Sequence, residues 1–533
     1  MAEISDFPKS MQKVIKAFEE PVPNLEAPPG VPRIKLNEVI GRVAWVYEKL
    51  RNSIEFQEEH LLRRNSIERI LRRKILLENR NIIDARLLIY ELIRARYLPN
   101  NALPEVIIGI VQNYIDRYLA LLDHLKLRRT DPDDRKLIHW VISVASADIE
   151  ERLNPSIRED ALVELMYATI RNNLILPENV PAGQEQDILV YLAIHRALIK
   201  SDDAILRYHL FRWAYPNWQN PDHAVTEQVR QNFGNFVETI EKRIHHPLSE
   251  RLMVICRQYT IPFLVLADVF KDKPQEVRLL LTSPQTLAEA TEKAMKNRIK
   301  FAGSRLRRTT IRSIIYIFIT KMLLALVLEL PYEVYVLKLS NFVPLYVNGL
   351  FHPLLMSFIG LTARVPGKKN TELVIQAVQE IINPSRPRVI FAKKIKPRPR
   401  RKLRTFAFNL AYLATFVLIF GGLALLLHKF YFNWVSIIIF LFFLSVISLF
   451  GMRIRQVVKE LTILDKRENL FLLLLSFISL PILKVGQWFS KKIPKFNLFI
   501  FILDFIIEAP FKIFVETVDE WLNFLKEKRE EIS

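Results

Sequence analysis

"FAFNLAYLATFVLIFGGLALLL" (residues 406–427) and "FYFNWVSIIIFLFFLSVISLFGM" (residues 430–452) are two long uncharged stretches, separated only by His428 and Lys429. They contain 22 and 23 residues. A helix needs roughly 20 apolar residues to cross the hydrocarbon core of a bilayer, so each stretch is long enough. The pattern predicts a transmembrane helical hairpin over residues 405–452.

Basic residues flank the apolar segments and account for the charge of the chain. Nine Lys or Arg lie between residues 293 and 328, and fourteen lie between residues 381 and 459, with no Asp or Glu in either stretch. These two stretches carry more positive charge than the net +20 of the whole chain. The rest has no surplus with which to bind phosphates, so we predict no nucleic-acid partner. The excess instead marks the cytosolic ends of membrane spans and favours contact with anionic lipid headgroups. The basic residues predicted at the membrane surface are Arg305, Arg307, Arg308, Arg312, Lys393, Lys394, Lys396, Arg398, Arg400, Arg401, Lys402 and Arg404.

Two less regular apolar segments precede the hairpin, within a region of residues 301–361. Residues 313–328 carry Lys321 at their middle, which costs roughly 2.5–3.5 kcal/mol if it faces lipid. Lys321 is therefore expected to snorkel or to face protein. Residues 343–361 are uncharged but contain two prolines, so they could span as a kinked helix or re-enter as a buried loop.

Four polar residues in or beside these two segments are candidate functional residues: Lys321, Glu329, Asn348 and His352. Polar groups inside a membrane are costly, and by default they mark a transport pathway or an internal pair. The alternative is structural, in which Lys321 and Glu329 attract one another while the other polar groups snorkel to an interface. The imperfect apolar pattern of both segments favours the structural interpretation.

The N-terminal half predicts a helical cytosolic domain. Residues 1–20 lack the basic start and apolar core of a signal peptide, and residues 1–35 have the composition of a Pro-rich flexible segment. Residues 36–300 show helical spacing of apolar residues and no convincing β alternation, which predicts an all-α domain of about ten helices. Four cap-and-proline pairs are expected at helix starts: Asp131-Pro132, Asn154-Pro155, Asn220-Pro221 and Ser283-Pro284.

The C-terminal part predicts elements on the cytosolic face. Residues 362–404 form a basic loop with a short helix, and residues 453–533 follow the hairpin. Within the latter, residues 469–483 are apolar but too short to cross, so they dip into the membrane or lie flat on it. Residues 496–521 have the pattern of an interfacial amphipathic helix, whose polar stripe includes Asp504, Glu508, Lys512 and Glu516. An acidic stripe is repelled by anionic lipid, so it is expected to face the cytosol or a basic protein partner, for which the chain's own segment 393–404 is one candidate.

The sequence lacks the common catalytic and cofactor-binding motifs. Apart from Gly421-Gly422 no two of the 13 glycines lie within six residues, which excludes dinucleotide loops, P-loops and nucleophile elbows. The single cysteine, Cys256, cannot form an internal disulfide. His245 and His246 are adjacent, so on a helix they point about 100° apart, which disfavours a metal site there. We therefore predict no catalytic, cofactor or metal residues.

These observations predict an all-α integral membrane protein of the plasma or inner membrane, with both termini in the cytoplasm. The leading functional hypothesis is a membrane-anchored adaptor or scaffold, whose residues 36–300 bind a protein partner. One alternative is a transporter or channel component that uses the intramembrane polar residues. A second is an enzyme acting on a lipid-linked substrate with an unfamiliar site. Oligomeric state is not readable from the sequence.

Overall fold

The chain is all-helical in the computed structural model. The structure describes residues 7–21, 26–36, 58–77, 83–128, 130–176, 180–181, 183–219, 223–336, 343–363, 365–383, 390, 402–463, 470–492, 517 and 521. Helix accounts for 82% of the structure, and no strand occurs among these residues. The predicted all-α class is therefore confirmed.

The chain divides into two compact units, one containing residues 2–257 and the other residues 258–500. We call them the N-terminal unit and the membrane unit. The N-terminal unit contains ten described α-helices: α1 (Lys9–Glu19), α2 (Glu59–Leu77), α3 (Ala85–Arg94), α4 (Val106–His124), α5 (Pro132–Leu153), α6 (Ile157–Ile170), α7 (Gln184–Leu198), α8 (Asp203–Ala214), α9 (His223–Ile244) and α10 (Ser249–Arg257).

Helix α5 lies at the centre of the N-terminal unit. It is buried on all sides from Trp140 to Glu150, and small residues such as Ser143 and Ala147 let neighbouring helices approach closely. The Trp140 ring meets the rings of Phe211 and Phe233 edge-on, at centroid distances of 6.3 and 5.5 Å. Such aromatic contacts add to the stabilisation from buried area, so α5 organises one contiguous core.

Buried ionisable side chains join α5 to its neighbours. Arg63 of α2 donates hydrogen bonds from Nε and Nη2 to the Glu150 carboxylate, at 2.7 to 2.9 Å. Tyr118 of α4 donates from its hydroxyl to Asp148 Oδ2 at 2.8 Å. Because each buried carboxylate has a donor, the polar groups of the core fix the register of α2 and α4 against α5.

The membrane unit begins with two short helices and continues with six longer ones. These are α11 (Thr260–Asp272), α12 (Val277–Thr282), α13 (Pro284–Leu324), α14 (Val343–Thr362), α15 (Lys368–Ile382), α16 (Lys402–Lys429), α17 (Trp434–Lys459) and α18 (Leu470–Lys492). Helix α13 runs without interruption through residue 300, where the sequence had suggested a domain boundary. A helix that starts among charged residues and ends among apolar ones leaves no break in the sequence pattern at the membrane surface.

Among the described residues, three helices are long and apolar enough to cross a membrane, by length and composition: Pro284–Val327, Asn409–Lys429 and Trp434–Lys459. The last two are joined by a turn of residues 430–433, in which Tyr431 has a φ of 65°. The Asn433 side chain caps α17 by accepting a hydrogen bond from the Ser436 N–H at 2.8 Å. The predicted membrane character of the chain is therefore supported by the structure.

Helix α14 packs beside both α13 and α17. Its Gly360 contacts Thr310 of α13 so closely that a Cβ on this glycine would overlap the threonine. A Cβ on Gly451 of α17 would likewise overlap the side chain of Ile359. Gly349, at the other end of α14, faces Met322. The predicted segment 343–361 thus forms a continuous helix that contains Pro353, rather than a loop.

Helix α18 packs antiparallel to α17. Phe489 meets Phe442 edge-on at a centroid distance of 4.8 Å, and one turn earlier a Cβ on Gly486 would lie 2.9 Å from the Ser445 carbonyl carbon. Since Phe442 lies near the middle of the uncharged run, the C-terminal half of α18 reaches the level of that middle. Whether residues 469–483 dip into the membrane or lie flat on it stays a prediction.

Candidate functional site

The four polar residues singled out in the sequence come together in the membrane unit. Lys321 lies near the end of α13, and its Nζ is 3.4 Å from Glu329 Oε1. The same Nζ lies 4.5 Å from the centre of the Phe443 ring of α17. Lys321 is 0% exposed and Glu329 is 1% exposed. The ammonium therefore faces protein, with a carboxylate on one side and an aromatic face on another.

A change in helix geometry after α13 carries Glu329 to this position. Residues Ala325–Glu329 form a π-helical turn, and Tyr332–Val336 form a second. In a regular α-helix, residues eight apart are separated by about 12 Å along the axis. A π-helical turn has more residues per turn, so it shortens the rise and rotates the side chains that follow. The turn brings the carboxylate of Glu329 back toward Lys321.

Asn348 of α14 also binds the Glu329 carboxylate. Its Nδ2 donates to Glu329 Oε1 and Oε2, both at 2.7 Å. Its Oδ1 is buried and has no hydrogen-bond partner. Because a buried unsatisfied oxygen is costly, Asn348 Oδ1 is an open acceptor position beside a charged pair.

His352 lies one turn further along α14. Its Nδ1 is 3.1 Å from the Asn348 carbonyl oxygen, and its Nε2 is 3.2 Å from the Phe440 carbonyl oxygen. Carbonyl oxygens only accept hydrogen bonds, and a neutral imidazole has a single N–H to donate. The neutral ring can therefore donate to only one of these two oxygens at a time.

The depth of these residues follows from the helix that they contact. Phe440 and Phe443 lie near the centre of the uncharged run of residues 430–452. Lys321 and His352 pack against these two phenylalanines. The four residues, which we call the midplane cluster, therefore lie near the middle of the hydrocarbon core when α17 spans the bilayer.

Other predicted residues lie apart from the midplane cluster or outside the described residues. The four arginines predicted on α13, Arg305, Arg307, Arg308 and Arg312, are exposed. Lys402 and Arg404 lie in the first turn of α16, but their side chains are not among those described. The remaining basic residues of segment 393–404 lie outside the described residues, and so does the stripe of Asp504, Glu508, Lys512 and Glu516.

A second polar cluster, in the N-terminal unit, was not predicted from the sequence. One ligand atom from each of Asp160, His195 and His209 lies within 4.8 Å of the others. The three residues stand on three different helices and share no short motif. Each histidine taken alone has the pattern of a core residue, so the sequence held no signal for their convergence.

The histidine pair singled out in the sequence follows the end of α9 directly. His245 Nε2 lies 3.2 Å from Glu241 Oε2 and 3.9 Å from Asp203 Oδ2, with 58% of its side chain exposed. His246 Nδ1 accepts a hydrogen bond from the Leu248 N–H at 3.2 Å. The two rings therefore have separate partners.

Comparison with known proteins leaves the function to be argued from these clusters: no protein-family model, curated protein or solved structure matches the chain.

Proposed function

We propose that the protein is a transport component of the membrane, in which the midplane cluster of Lys321, Glu329, Asn348 and His352 binds and passes a proton. The observation that supports it most is the convergence of four polar side chains into one buried network beside Phe440 and Phe443. Ionisable residues at this depth are rare in membrane helices, and proton relays are among their main uses.

Two features of the cluster favour transport over a purely structural bond. A structural network is expected to satisfy every polar atom, whereas Asn348 Oδ1 has no partner and His352 faces two acceptors. The cluster also sits at a π-helical turn. Such turns are frequent at functional sites, and broken helices line the central sites of many transporters.

The experiment is proton flux through the purified full chain in liposomes. The vesicles carry a pH-sensitive dye inside, and a potassium gradient with valinomycin supplies the driving potential. Lys321→Met and the double variant Lys321→Met/Glu329→Gln test the cluster. Lys459→Met, which removes an exposed basic residue at the end of α17, is the matched control.

We expect the double variant to lose at least tenfold in flux, while the control keeps the rate of the unsubstituted protein. The single variant leaves Glu329 buried without its cation, which costs about 3–5 kcal/mol, and the double variant should regain most of this stability. A stable double variant without flux therefore separates transport from folding. Unaltered flux in the double variant, or no flux in the unsubstituted protein, would refute the proposal.

The adaptor or scaffold is the second candidate, and the separate N-terminal unit favours it. This unit has its own core around α5, independent of the apolar helices. The test is purification from native membranes in mild detergent, followed by mass spectrometry. A stoichiometric protein partner that binds residues 36–300 would support this function, and a chain that carries only lipid would argue against it. No contact among the described residues favours the enzyme on a lipid-linked substrate, which stays a prediction.

A further inference from the structure

Three consecutive helices of the N-terminal unit bring metal-ligating side chains to one place. Asp160 lies on α6, His195 on α7 and His209 on α8, with one ligand atom from each within 4.8 Å of the others. Glu151, near the end of α5, interacts electrostatically with both Asp160 and His209. Two imidazoles and one carboxylate from three helices therefore surround a common point inside the unit, and the charge of Glu151 acts on it from a fourth helix.

The hydrogen bonds of His195 leave one ring nitrogen available. Its side chain is 1% exposed, and its Nδ1 lies 3.4 Å from the Ser201 hydroxyl. Its Nε2 is buried and has no hydrogen-bond partner. A histidine that serves only to pack a core is expected to satisfy both nitrogens. A metal-ligating histidine instead holds one nitrogen in a hydrogen bond to an oxygen and presents the other to the ion.

The carboxylates show a similar arrangement. Ser156 donates to Glu151 Oε1 from its backbone N–H at 3.1 Å and to Oε2 from its hydroxyl at 2.7 Å. These bonds orient Glu151 at the junction of α5 and α6, from where its negative charge opposes that of Asp160. Arg212 offsets part of this negative charge. A cation bound at Asp160 would reduce this repulsion.

We infer that Asp160, His195 and His209 bind a divalent transition-metal ion, with Glu151 as a fourth ligand or as the carboxylate beside it. Two imidazoles with carboxylate oxygens suit zinc, iron(II) or cobalt(II), and they do not suit calcium or magnesium, which prefer oxygen ligands alone. The ligand atoms, which lie at most 4.8 Å apart, would have to draw in to about 3.4 Å, the spacing around a tetrahedral zinc ion.

Metal content tests the inference on the full chain, purified in detergent without a histidine tag. Inductively coupled plasma mass spectrometry measures the metal content of the protein as isolated. After removal of the metal with a chelator, titration with cobalt(II) gives the affinity, and visible d–d absorption reports the ligand geometry. The ligand variants are His209→Gln and His195→Gln. The matched control is His245→Gln, an exposed histidine of the same unit.

We expect about one transition-metal ion per chain, a visible cobalt band, and at least a tenfold loss of cobalt affinity in each ligand variant. The control should bind like the unsubstituted chain. Binding should also raise the Tm of the unsubstituted chain and not that of His209→Gln, because an ion that binds only the folded state stabilises it. If His195→Gln fails to fold, the half-buried His209 carries the test alone. No metal and no cobalt spectrum in the unsubstituted chain, or equal affinity in His209→Gln, would overturn the inference.

Discussion

Asp148 is a buried carboxyl group, and its burial disfavours the ionised form. Tyr118 donates a hydrogen bond to its Oδ2 at 2.8 Å, and Tyr208, Arg117 and Arg212 also favour its ionised form. Burial outweighs them and raises the pKa of Asp148 above its ordinary value. The folded chain therefore holds this proton to higher pH than the unfolded chain does.

The raised pKa of Asp148 predicts a pH dependence of stability. A raised carboxyl pKa contributes stability below the unfolded value of about 3.9, and this contribution is lost as the pH rises through the folded value. Asp148→Asn keeps an acceptor for Tyr118 and carries no charge at any pH. We expect the variant to gain in Tm relative to the unsubstituted chain as the pH rises from about 4 to 7. A tenfold difference in proton affinity between the folded and unfolded chains corresponds to about 1.4 kcal/mol of stability.

The control for this prediction is Asp133→Asn on the surface of the same helix. Lys136 donates a hydrogen bond to Asp133 and holds the pKa of that carboxyl below its ordinary value, so the sign is opposite. The control should show no gain in Tm with rising pH. Parallel Tm curves for Asp148→Asn and the unsubstituted chain, measured by tryptophan fluorescence, would show that Asp148 titrates alike in both states.

Residue types alone identified part of the candidate site. Lys321, Glu329, Asn348 and His352 stood out because polar groups are rare in apolar segments. Their meeting depends on the π-helical turn and on the register of α14 beside α13, and neither follows from composition. Asp160, His195 and His209 could not be found in this way, because polar residues in a globular domain are common and only the tertiary fold brings these three together.

At the scale of helices, the long uncharged runs were the most informative feature, because length alone excludes most alternatives. Helix starts were harder to predict. Asp131 and Ser283 cap their helices through side-chain hydrogen bonds, as expected. Asn154 instead ends α5, and α6 begins two residues after Pro155 with Ser156 at its cap. Because α5 and α6 follow each other so closely, the pair Asn154-Pro155 fits the end of one helix as well as the start of the next. Asn220-Pro221 lies outside the described residues.

The contact of α18 with α17 predicts a steric effect of a single methyl group. A Cβ on Gly486 would overlap the Ser445 carbonyl, which is backbone and cannot rotate away. We expect Gly486→Ala to destabilise the chain by about 1–3 kcal/mol, the usual cost of overpacking. Thermal unfolding in detergent measures the change.

Gly421→Ala on α16 is the matched control for Gly486→Ala. A Cβ at Gly421 meets nothing within 4 Å, so alanine should be neutral or stabilise this helix by up to about 1 kcal/mol. Equal Tm values for the two variants would mean that α18 does not pack on α17 in the intact protein.

The whole molecule combines a globular helical unit with a membrane unit, and the positions of its basic residues predict how it is oriented. Reporter fusions that are active on only one side of the membrane test this topology. We expect a reporter after Tyr431 to lie outside and reporters at the N-terminus and after Ile463 to lie in the cytoplasm, because basic residues flank both ends of the hairpin. A cytoplasmic reporter after Tyr431 would contradict the hairpin. A reporter at the C-terminus shows whether the chain beyond α18 returns to the cytoplasm.

Cys256 has a practical consequence that reaches beyond its own helix. It supplies the only thiol among 533 residues, and its side chain is 0% exposed. A fully buried thiol does not react with bulky maleimides while the protein is folded. Any cysteine introduced on the surface is therefore addressable without first deleting the native one. Pairs of spin labels or fluorophores can then measure distances across the membrane helices, and the slow labelling of Cys256 itself times the opening of the folded chain.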